Sequence, residues 1–256
     1  MGKRTQLANT LKTISLLGWH STSQYLLYQL ELRSGYSKIR TLPPDLEKWK
    51  TALPKKIKSI LPTVSAQEVK TVLGSRCSQR IGIAEELLNG QVILFDELKT
   101  HLDLSPHTPL FHWSKIERLK LPQDEDIKYI WEPARFGWVF TLAQAFYLNG
   151  DLHYASFLNK MLDEFNRRNP PYLGANWVSA QEAGLRIMAL SFAQHIFSQS
   201  AATPSELLQS IQLSIAINAA RIPPTLCYAR SQRNNHLLSE AVGLYTAGSL
   251  LNGFPS

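Results

Sequence analysis

The stretch that decides the fold is residues 133–171, PARFGWVFTLAQAFYLNGDLHYASFLNKMLDEFNRRNPP. Its apolar residues recur at helical spacing in two runs, and Pro133 is tolerated in the first turn of a helix. Gly150 is a usual C-terminal stop, and Asp151 is a preferred N-cap. The stretch therefore predicts a helix over 133–149 and a second helix from 152 to the double proline, joined by a tight turn.

Three more helices are predicted downstream of this pair. Ser179 to Glu182 and Thr203 to Glu206 each have the pattern of a capping box, in which Ser or Thr is followed three residues later by Glu. A break at Pro223-Pro224 precedes a last helix over about 234–251. Five helices with short links form antiparallel hairpins, which build bundles, solenoids or α/α toroids. The sequence has no strict internal repeat, which argues against a regular solenoid. The predicted fold class is mainly α.

The first 125 residues are less regular. Residues 5–33 have the apolar spacing of two helical pieces, and residues 91–95, QVILF, are a candidate strand of a small hairpin. Seven prolines interrupt the chain between residues 43 and 122. We therefore predict a basic, irregular helical segment over 1–80 and a helical domain over 81–256.

The composition is that of a globular protein, with 44% hydrophobic and 18% charged residues, which excludes a disordered chain. Two cysteines, Cys77 and Cys227, exclude a disulfide scaffold and a Cys-rich zinc module. No run of 18 apolar residues occurs, so we expect no transmembrane helix. Residues 14–19 are too short for the apolar core of a signal peptide, and periplasmic and cytoplasmic locations both stay open.

Positive charge is concentrated at the N-terminus. The chain has 27 Lys and Arg against 20 Asp and Glu, and residues 1–80 alone carry 14 against 4. The run KKIK at 55–58 contributes to this excess. Such a field favours polyanions, namely nucleic acid, anionic lipid or acidic polysaccharide. A solvated basic face is the alternative.

Several common sites are missing from the sequence. It has no Gly-rich phosphate loop, no Gly-x-Ser-x-Gly elbow and no Cys-x-x-Cys pair. P-loop, dinucleotide-binding and serine-hydrolase functions therefore have no support in the sequence. His236 and Glu240 are too few ligands for a metal, and no His-x-x-x-His pair accompanies them. We predict neither a metal nor a cofactor.

The densest polar segment is residues 231–236, SQRNNH, at the start of the predicted last helix. Backbone N–H groups at a helix N-terminus favour an anion, and the side chains of Asn234, Asn235 and His236 add directional donors for a carboxylate. The alternative is structural, with Asn234 as an N-cap and His236 paired with Glu240 on the surface.

A second cluster consists of Trp131, Glu132 and Arg135. Aromatic rings stack on sugar faces, and a guanidinium pairs bidentately with carboxylate or sulfate. These residues therefore suit a sugar ring that carries acidic groups. Aromatic core packing with a Glu132–Arg135 ion pair is the alternative.

A third cluster consists of Asn176, Trp177, Glu182 and Arg186. Trp177 lies in a loop just before a predicted helix, and loops commonly present functional residues. It is therefore a candidate for stacking on a ligand. For Glu182, the capping role is the alternative.

Together these motifs resemble the heparinase II/III family of polysaccharide lyases over about residues 80–256. The resemblance rests on the order and spacing of residues 126–137 (DIKYIWEPARFG), Asn169-Pro170-Pro171, Asn176-Trp177, Gln181-Glu182, Arg186 and Asn234-Asn235-His236. It implies an incomplete (α/α) toroid built from antiparallel helix hairpins, followed in the family by a C-terminal β-sandwich domain. It also implies β-elimination on a uronate-containing polysaccharide, such as heparan sulfate or alginate, without a cofactor.

The resemblance also implies roles for individual residues. Asn235 is expected to neutralise the substrate carboxylate, and His236 to contact the same group or take part in proton transfer. The further residues expected to contact the substrate are Trp131, Glu132, Arg135, Asn176, Trp177, Glu182, Arg186, Asn234 and Glu240.

In the family, an acid/base tyrosine and a second histidine occur at positions that would follow Ser256. We therefore expect activity to require a C-terminal part, and a separately encoded half is one source of it. The expected partner is an acidic polysaccharide. The alternative is a non-catalytic helical module that binds acidic glycans. A third hypothesis, binding to nucleic acid or to a membrane surface, ranks last because only the charge suggests it.

Overall fold

A computed structural model of the chain describes residues 3–54, 57, 59–117, 126–252 and 254, with side chains from residue 18 onward. These residues form 13 α-helices and one two-stranded sheet, so the predicted mainly α fold class is confirmed. The lysines of the basic run at 55–58 and the basic side chains of the first 17 residues lie outside the described part. Among the described residues, no helix combines the length and the hydropathy that crossing a bilayer requires.

The elements follow one another in chain order, with two single 3-10 turns at Ala175–Trp177 and Pro223–Thr225. The strands are β1 (Gln91–Leu94) and β2 (Leu98–His101). The helices are α1 (Lys3–Ser34), α2 (Tyr36–Arg40), α3 (Leu46–Ala52), α4 (Ala66–Leu73), α5 (Arg76–Leu88), α6 (Trp113–Ile116), α7 (Lys128–Ala134), α8 (Gly137–Asn149), α9 (Leu152–Arg168), α10 (Ala180–Phe197), α11 (Ser205–Arg221), α12 (Leu226–Gln232) and α13 (Asn235–Leu250).

The long helices form two layers. Helices α8, α10 and α13 pack side by side, with α5 against α8, whereas α9 and α11 pack against each other. Successive helices also pair, α8 with α9 and α10 with α11. The link between α8 and α9 is only residues 150–151, so these two helices run antiparallel. Alternation between two layers is the arrangement of the incomplete (α/α) toroid that the resemblance implies.

The helix ends agree only in part with the sequence patterns. The side chain of Asp151 caps α9, as predicted. Neither capping box forms, because Ser179 and Pro204 occupy the N-cap positions of α10 and α11 without a side-chain hydrogen bond. Glu182 pairs with an arginine of α7's C-terminal end instead, and Thr203 lies one residue too early to cap α11.

The prediction of one helix over 133–149 is wrong at its start. The backbone takes a left-handed conformation at Phe136 (φ 63°), which separates α7 from α8, and Pro133 lies inside α7. Trp138 Nε1 donates a hydrogen bond of 2.9 Å to the Pro133 carbonyl, and the Phe136 ring packs 5.0 Å from that of Phe165. Buried tertiary contacts thus outweigh the helical periodicity here.

The N-terminal part is joined to the rest by a shared core. Gly18 (φ 79°) interrupts α1, which confirms two helical pieces, and β1 pairs antiparallel with β2, which confirms the hairpin. Tyr28 and Leu32 belong to the same hydrophobic core as the C-terminal helices. Helix α5 runs through residue 80 without a break. The division into segments 1–80 and 81–256 stays a prediction.

Helices α10 and α13 cross at two glycines. A Cβ atom at Gly184 would lie 2.8 Å from the carbonyl oxygen of Ser239, and one at Gly243 would lie 2.8 Å from the Gly184 Cα. Carbon atoms do not approach this closely, so the crossing requires glycine at both positions. The crossing also fixes the position of Glu182, just before Gly184, relative to that of Glu240, just before Gly243.

We predict that Gly184→Ala lowers the free energy of unfolding by about 1–3 kcal/mol, because the added methyl group must push two backbones apart. Urea denaturation measures the change. Gly248→Ala, on the partner helix α13 and with nothing within 4 Å of the new Cβ, is the control. It should be neutral or stabilising by up to about 1 kcal/mol. Equal effects of the two substitutions would contradict the close crossing.

Candidate active site

A cavity of about 150 Å³ lies where α1, α7, α12 and α13 meet the segment before α10. Three predicted site residues line it, namely Trp131, His236 and Glu240. Tyr28 and Tyr228 face the same space. The cavity therefore combines aromatic surface with groups that exchange protons, and it joins residues far apart in sequence.

Glu240 is the most unusual group in this cavity. Its side chain is buried, and Oε2 has no hydrogen-bond partner among the described residues. Burial raises the pKa of Glu240 to about 7, against the opposing charge of Arg221. The alternative of an exposed His236–Glu240 pair is therefore wrong for Glu240. At neutral pH its carboxyl group is present in both protonation states, so it can donate or accept a hydrogen bond.

Glu117, Tyr28 and Tyr228 also line the cavity. Burial raises the pKa of Glu117, while the charge of Arg221 and a hydrogen bond with Tyr28 lower it. Burial also raises the pKa of the Tyr28 and Tyr228 phenols, and their rings lie 4.7 Å apart. These phenols stay protonated at neutral pH and are donors. The sequence patterns did not single out any of the three residues.

Arg221 supplies the positive charge behind the cavity. It is fully buried at the end of α11, with its guanidinium 3.7 Å from the Trp113 ring centroid. It donates hydrogen bonds to the carbonyls of Trp177 (2.8 Å) and Val178 (2.7 Å). Burial lowers its pKa to about 10, so it remains charged. No sequence signal marked it, because a basic residue in the last turn of a helix is common.

His236 lies half-buried at the start of α13. Burial lowers its pKa, although the negative charge of Glu182 opposes the shift. The imidazole is therefore neutral at neutral pH and able to accept a proton. Asn234 caps the helix, since its Oδ1 accepts a hydrogen bond of 3.0 Å from the His236 backbone, which confirms the structural alternative for Asn234. Asn235 is exposed beside His236, and its contact with a substrate stays a prediction.

Arg135 forms ion pairs with two carboxylates of the protein. Its Nε and Nη2 donate to the two carboxylate oxygens of Glu182 at 2.6 and 3.0 Å, and its Nη1 donates to Glu132. The hydrogen bond with Glu182 is the main reason why the pKa of Arg135 is raised. The ion-pair alternative is confirmed. The buried Glu182 therefore occupies the Nε–Nη2 edge, through which Arg135 would otherwise pair bidentately with a substrate.

Three predicted binding residues are wrong for direct contact, because Asn176, Trp177 and Arg186 are buried. Arg186 donates from Nε to Asn218 at 2.7 Å and from Nη2 to the Asn176 carbonyl at 2.8 Å. Trp177 Nε1 donates to the carbonyl of Asn169 at 3.2 Å. The loop that carries Asn176 and Trp177 packs into the core rather than facing outward. The residues that follow it, Val178 to Ala180, line the cavity.

Trp131 keeps a place at the cavity. Its Nε1 donates a hydrogen bond of 2.9 Å to the Ala175 carbonyl, which fixes the ring, and the side chain is half-buried. In the described part of the chain, no three His, Cys, Asp or Glu residues are grouped so that they could hold a metal ion.

We predict that Arg135→Met lowers the free energy of unfolding by about 3–5 kcal/mol, because it leaves the buried Glu182 carboxylate without its partner. Urea denaturation provides the measurement. Arg168→Met removes a more exposed pair with Glu164 and should cost less than about 1 kcal/mol. A loss in the first variant no larger than in the second would show that the Arg135–Glu182 pair is not buried.

We also predict that Glu240→Gln flattens the pH dependence of stability. The folded protein binds the Glu240 proton more tightly than the unfolded chain does. The stabilisation is complete below the ordinary pKa of 4.5 and is lost as the pH rises through about 7. The wild type should therefore lose on the order of 2–3 kcal/mol across this range relative to Glu240→Gln.

Thermal and urea unfolding at a series of pH values measures this difference. The exposed Glu97 supplies the control, and Glu97→Gln should follow the wild type. Parallel curves for wild type and Glu240→Gln would refute the raised pKa.

Comparison with known proteins identifies the family. The family model described as "Heparinase II/III N-terminus" matches residues 95–255, which is more than half of the chain. No curated protein and no solved structure matches the chain. The matched segment contains helices α6 to α13 and every predicted site residue. The chain therefore belongs to the heparinase II/III family, a family of polysaccharide lyase type, and carries its N-terminal helical part.

Proposed function

We propose that this domain acts on a uronate-containing acidic polysaccharide by β-elimination, with Asn235 and His236 at the reacting sugar. The observation that carries the proposal is the cavity in which the neutral His236 and the partly protonated Glu240 share one space with two phenols. An elimination needs a base, an acid and donors for a carboxylate, and this cavity holds all three kinds of group.

The first requirement is to make the C5 proton of the uronate acidic. Negative charge develops on the carboxylate as that proton leaves, so donors aimed at it stabilise the transition state. The Asn235 amide and the protonated form of Glu240 are the donors that we assign to this task. A carboxylic acid that stays protonated near pH 7 hydrogen-bonds a carboxylate without charge repulsion.

The second requirement is proton transfer. His236 accepts the C5 proton as the C5–H bond breaks, and the electron pair left on C5 is delocalised into the sugar carboxylate. That pair forms the C4=C5 double bond as the C4–O bond to the next sugar breaks, and the leaving oxygen takes a proton from a phenol. Tyr228 is the described chain's candidate donor, whereas the resemblance implies a tyrosine C-terminal to the matched segment.

The binding-only alternative remains open, but two of its expected glycan contacts are changed. Trp177 is buried, and Arg135 already pairs with Glu132 and Glu182. A binding module would therefore have to use other groups for stacking and for most of its charge pairing.

We predict that the protein converts heparan sulfate or alginate into products with the ultraviolet absorbance of an unsaturated uronate. The assay uses the chain alone and the chain mixed with a C-terminal family segment, because the resemblance places further catalytic groups there. His236→Ala should lower the rate by about 10²–10⁴-fold, the usual contribution of a general base. His153→Ala, at an exposed histidine of α9, should leave it unchanged.

Absence of absorbing product from every uronate polymer, with folded protein in both forms of the assay, would refute the elimination. Glycan binding that persists in that case would favour the non-catalytic module. Equal rates for His236→Ala and wild type would refute the assignment of His236.

A further inference from the structure

A second and larger cavity, of about 620 Å³, lies between the C-terminal end of α1, helix α2 and residues 110–115. Arg33, Lys38 and Lys115 line it, and none of its lining residues is acidic. Among the described residues, no carboxylate lies within ion-pair distance of these three side chains. The cavity thus concentrates positive charge that the described protein does not neutralise.

Apolar and aromatic groups accompany this charge. Phe111 is 40% exposed, and Lys115 Nζ lies 3.6 Å from its ring centroid. Leu42 and Leu110 add exposed apolar surface to the same cavity. Sugar rings present apolar faces together with polar edges, and a ring face beside ammonium groups suits a saccharide with an anionic substituent.

The inner wall of the cavity is held by a hydrogen-bond network. The buried His112 contacts Thr41 Oγ1 through Nε2 at 3.0 Å and Ser114 Oγ through Nδ1 at 2.8 Å. Trp113 Nε1 donates to the same Thr41 hydroxyl at 2.9 Å. Burial is the main cause of the lowered pKa of His112, so the imidazole stays neutral and serves as a structural link. The cavity shape is therefore set before a ligand arrives.

The two cavities are neighbours. Tyr28 lines the His236 cavity, and Leu32 lines the basic one, which places them four residues apart on α1, about 6 Å along its axis. On the other wall, Glu117 lines the first cavity and Lys115 the second. The same stretch of α1 and the segment 115–117 therefore contribute to the walls of both cavities.

We propose that the basic cavity is a binding subsite for the carboxylate or sulfate groups of an acidic polysaccharide, beside the His236 cavity. This inference rests on the proposed function for the choice of ligand. A recessed site lined by three cations, one of them on the face of an exposed aromatic ring, fits a single anionic sugar. Nucleic acid instead requires a row of phosphate contacts along an open surface.

Isothermal titration calorimetry with a heparin-derived hexasaccharide tests the subsite. Lys38→Gln/Lys115→Gln removes one charge from each wall. Lys48→Gln/Lys160→Gln removes the same net charge at exposed positions outside the cavity and is the matched control. The first double variant should weaken binding by about tenfold or more, because it removes two charge-assisted contacts. The control should change the dissociation constant less than about twofold, as expected for surface charges.

Three further ligands identify the recognised group. An alginate hexamer carries carboxylates without sulfate, so its affinity relative to the heparin fragment separates the two anionic groups. Maltohexaose is neutral and should not bind. A single-stranded oligonucleotide that binds more tightly than either glycan, and loses binding in the same variant, would overturn the proposal.

The outcomes also separate this inference from the proposed function. Glycan binding unchanged by Lys38→Gln/Lys115→Gln would refute the subsite alone. Absence of any glycan binding by the wild type would refute the subsite and also contradict the proposed function. Binding that is weakened by this variant, in a protein that yields no unsaturated product, would refute the elimination and leave the subsite standing.

Discussion

The close crossing of α10 and α13 is the constraint on which the rest of the site depends. Because Gly184 and Gly243 have no side chains, the two backbones touch, and the segments before them are held in fixed register. This contact brings Glu182 of α10 within electrostatic reach of His236 on α13. It also directs Glu240 into the interior rather than to the surface. Without the crossing, the polar start of α13 would be an ordinary solvated helix end.

The second determinant is the distribution of buried charge. Arg221 and Arg186 are completely buried, and their hydrogen bonds go to backbone carbonyls, Asn218 and the Thr225 hydroxyl rather than to a carboxylate. The positive charge of Arg221 lowers the pKa of Glu117 and of Glu240 and so stabilises the ionised form of each carboxyl group in this small cavity. Burial nevertheless outweighs this attraction and raises the pKa of both acids. The result is a cavity in which the phenols are uncharged near neutral pH and the Glu240 carboxyl group is only partly ionised.

Sequence patterns predicted the helices well where an apolar stripe and a capping residue agreed, as at Asp151 and Asn234. They failed where a local motif competed with a distant partner. Glu182 has the spacing of a capping residue, but a buried ion pair with Arg135 is stronger than a cap that water can replace.

The site was predictable only in part for the same reason. The motif that carries His236 and Glu240 is contiguous in sequence and was found directly. Tyr28 and Glu117 reach the same cavity from a distant helix and a loop, and no local pattern marks them. Trp177 was assigned to a ligand because it lies in a loop, yet that loop is packed into the core. Exposure is decided by tertiary contacts, which spacing along the chain does not report.

The most direct test of the central claim is a crystal structure of the protein with a bound uronate oligosaccharide. The account predicts one sugar carboxylate within about 3 Å of Glu240 or the Asn235 amide, with the C5 atom of that sugar facing His236. A sugar chain bound only on another face of the molecule, with the His236 cavity empty, would contradict the account.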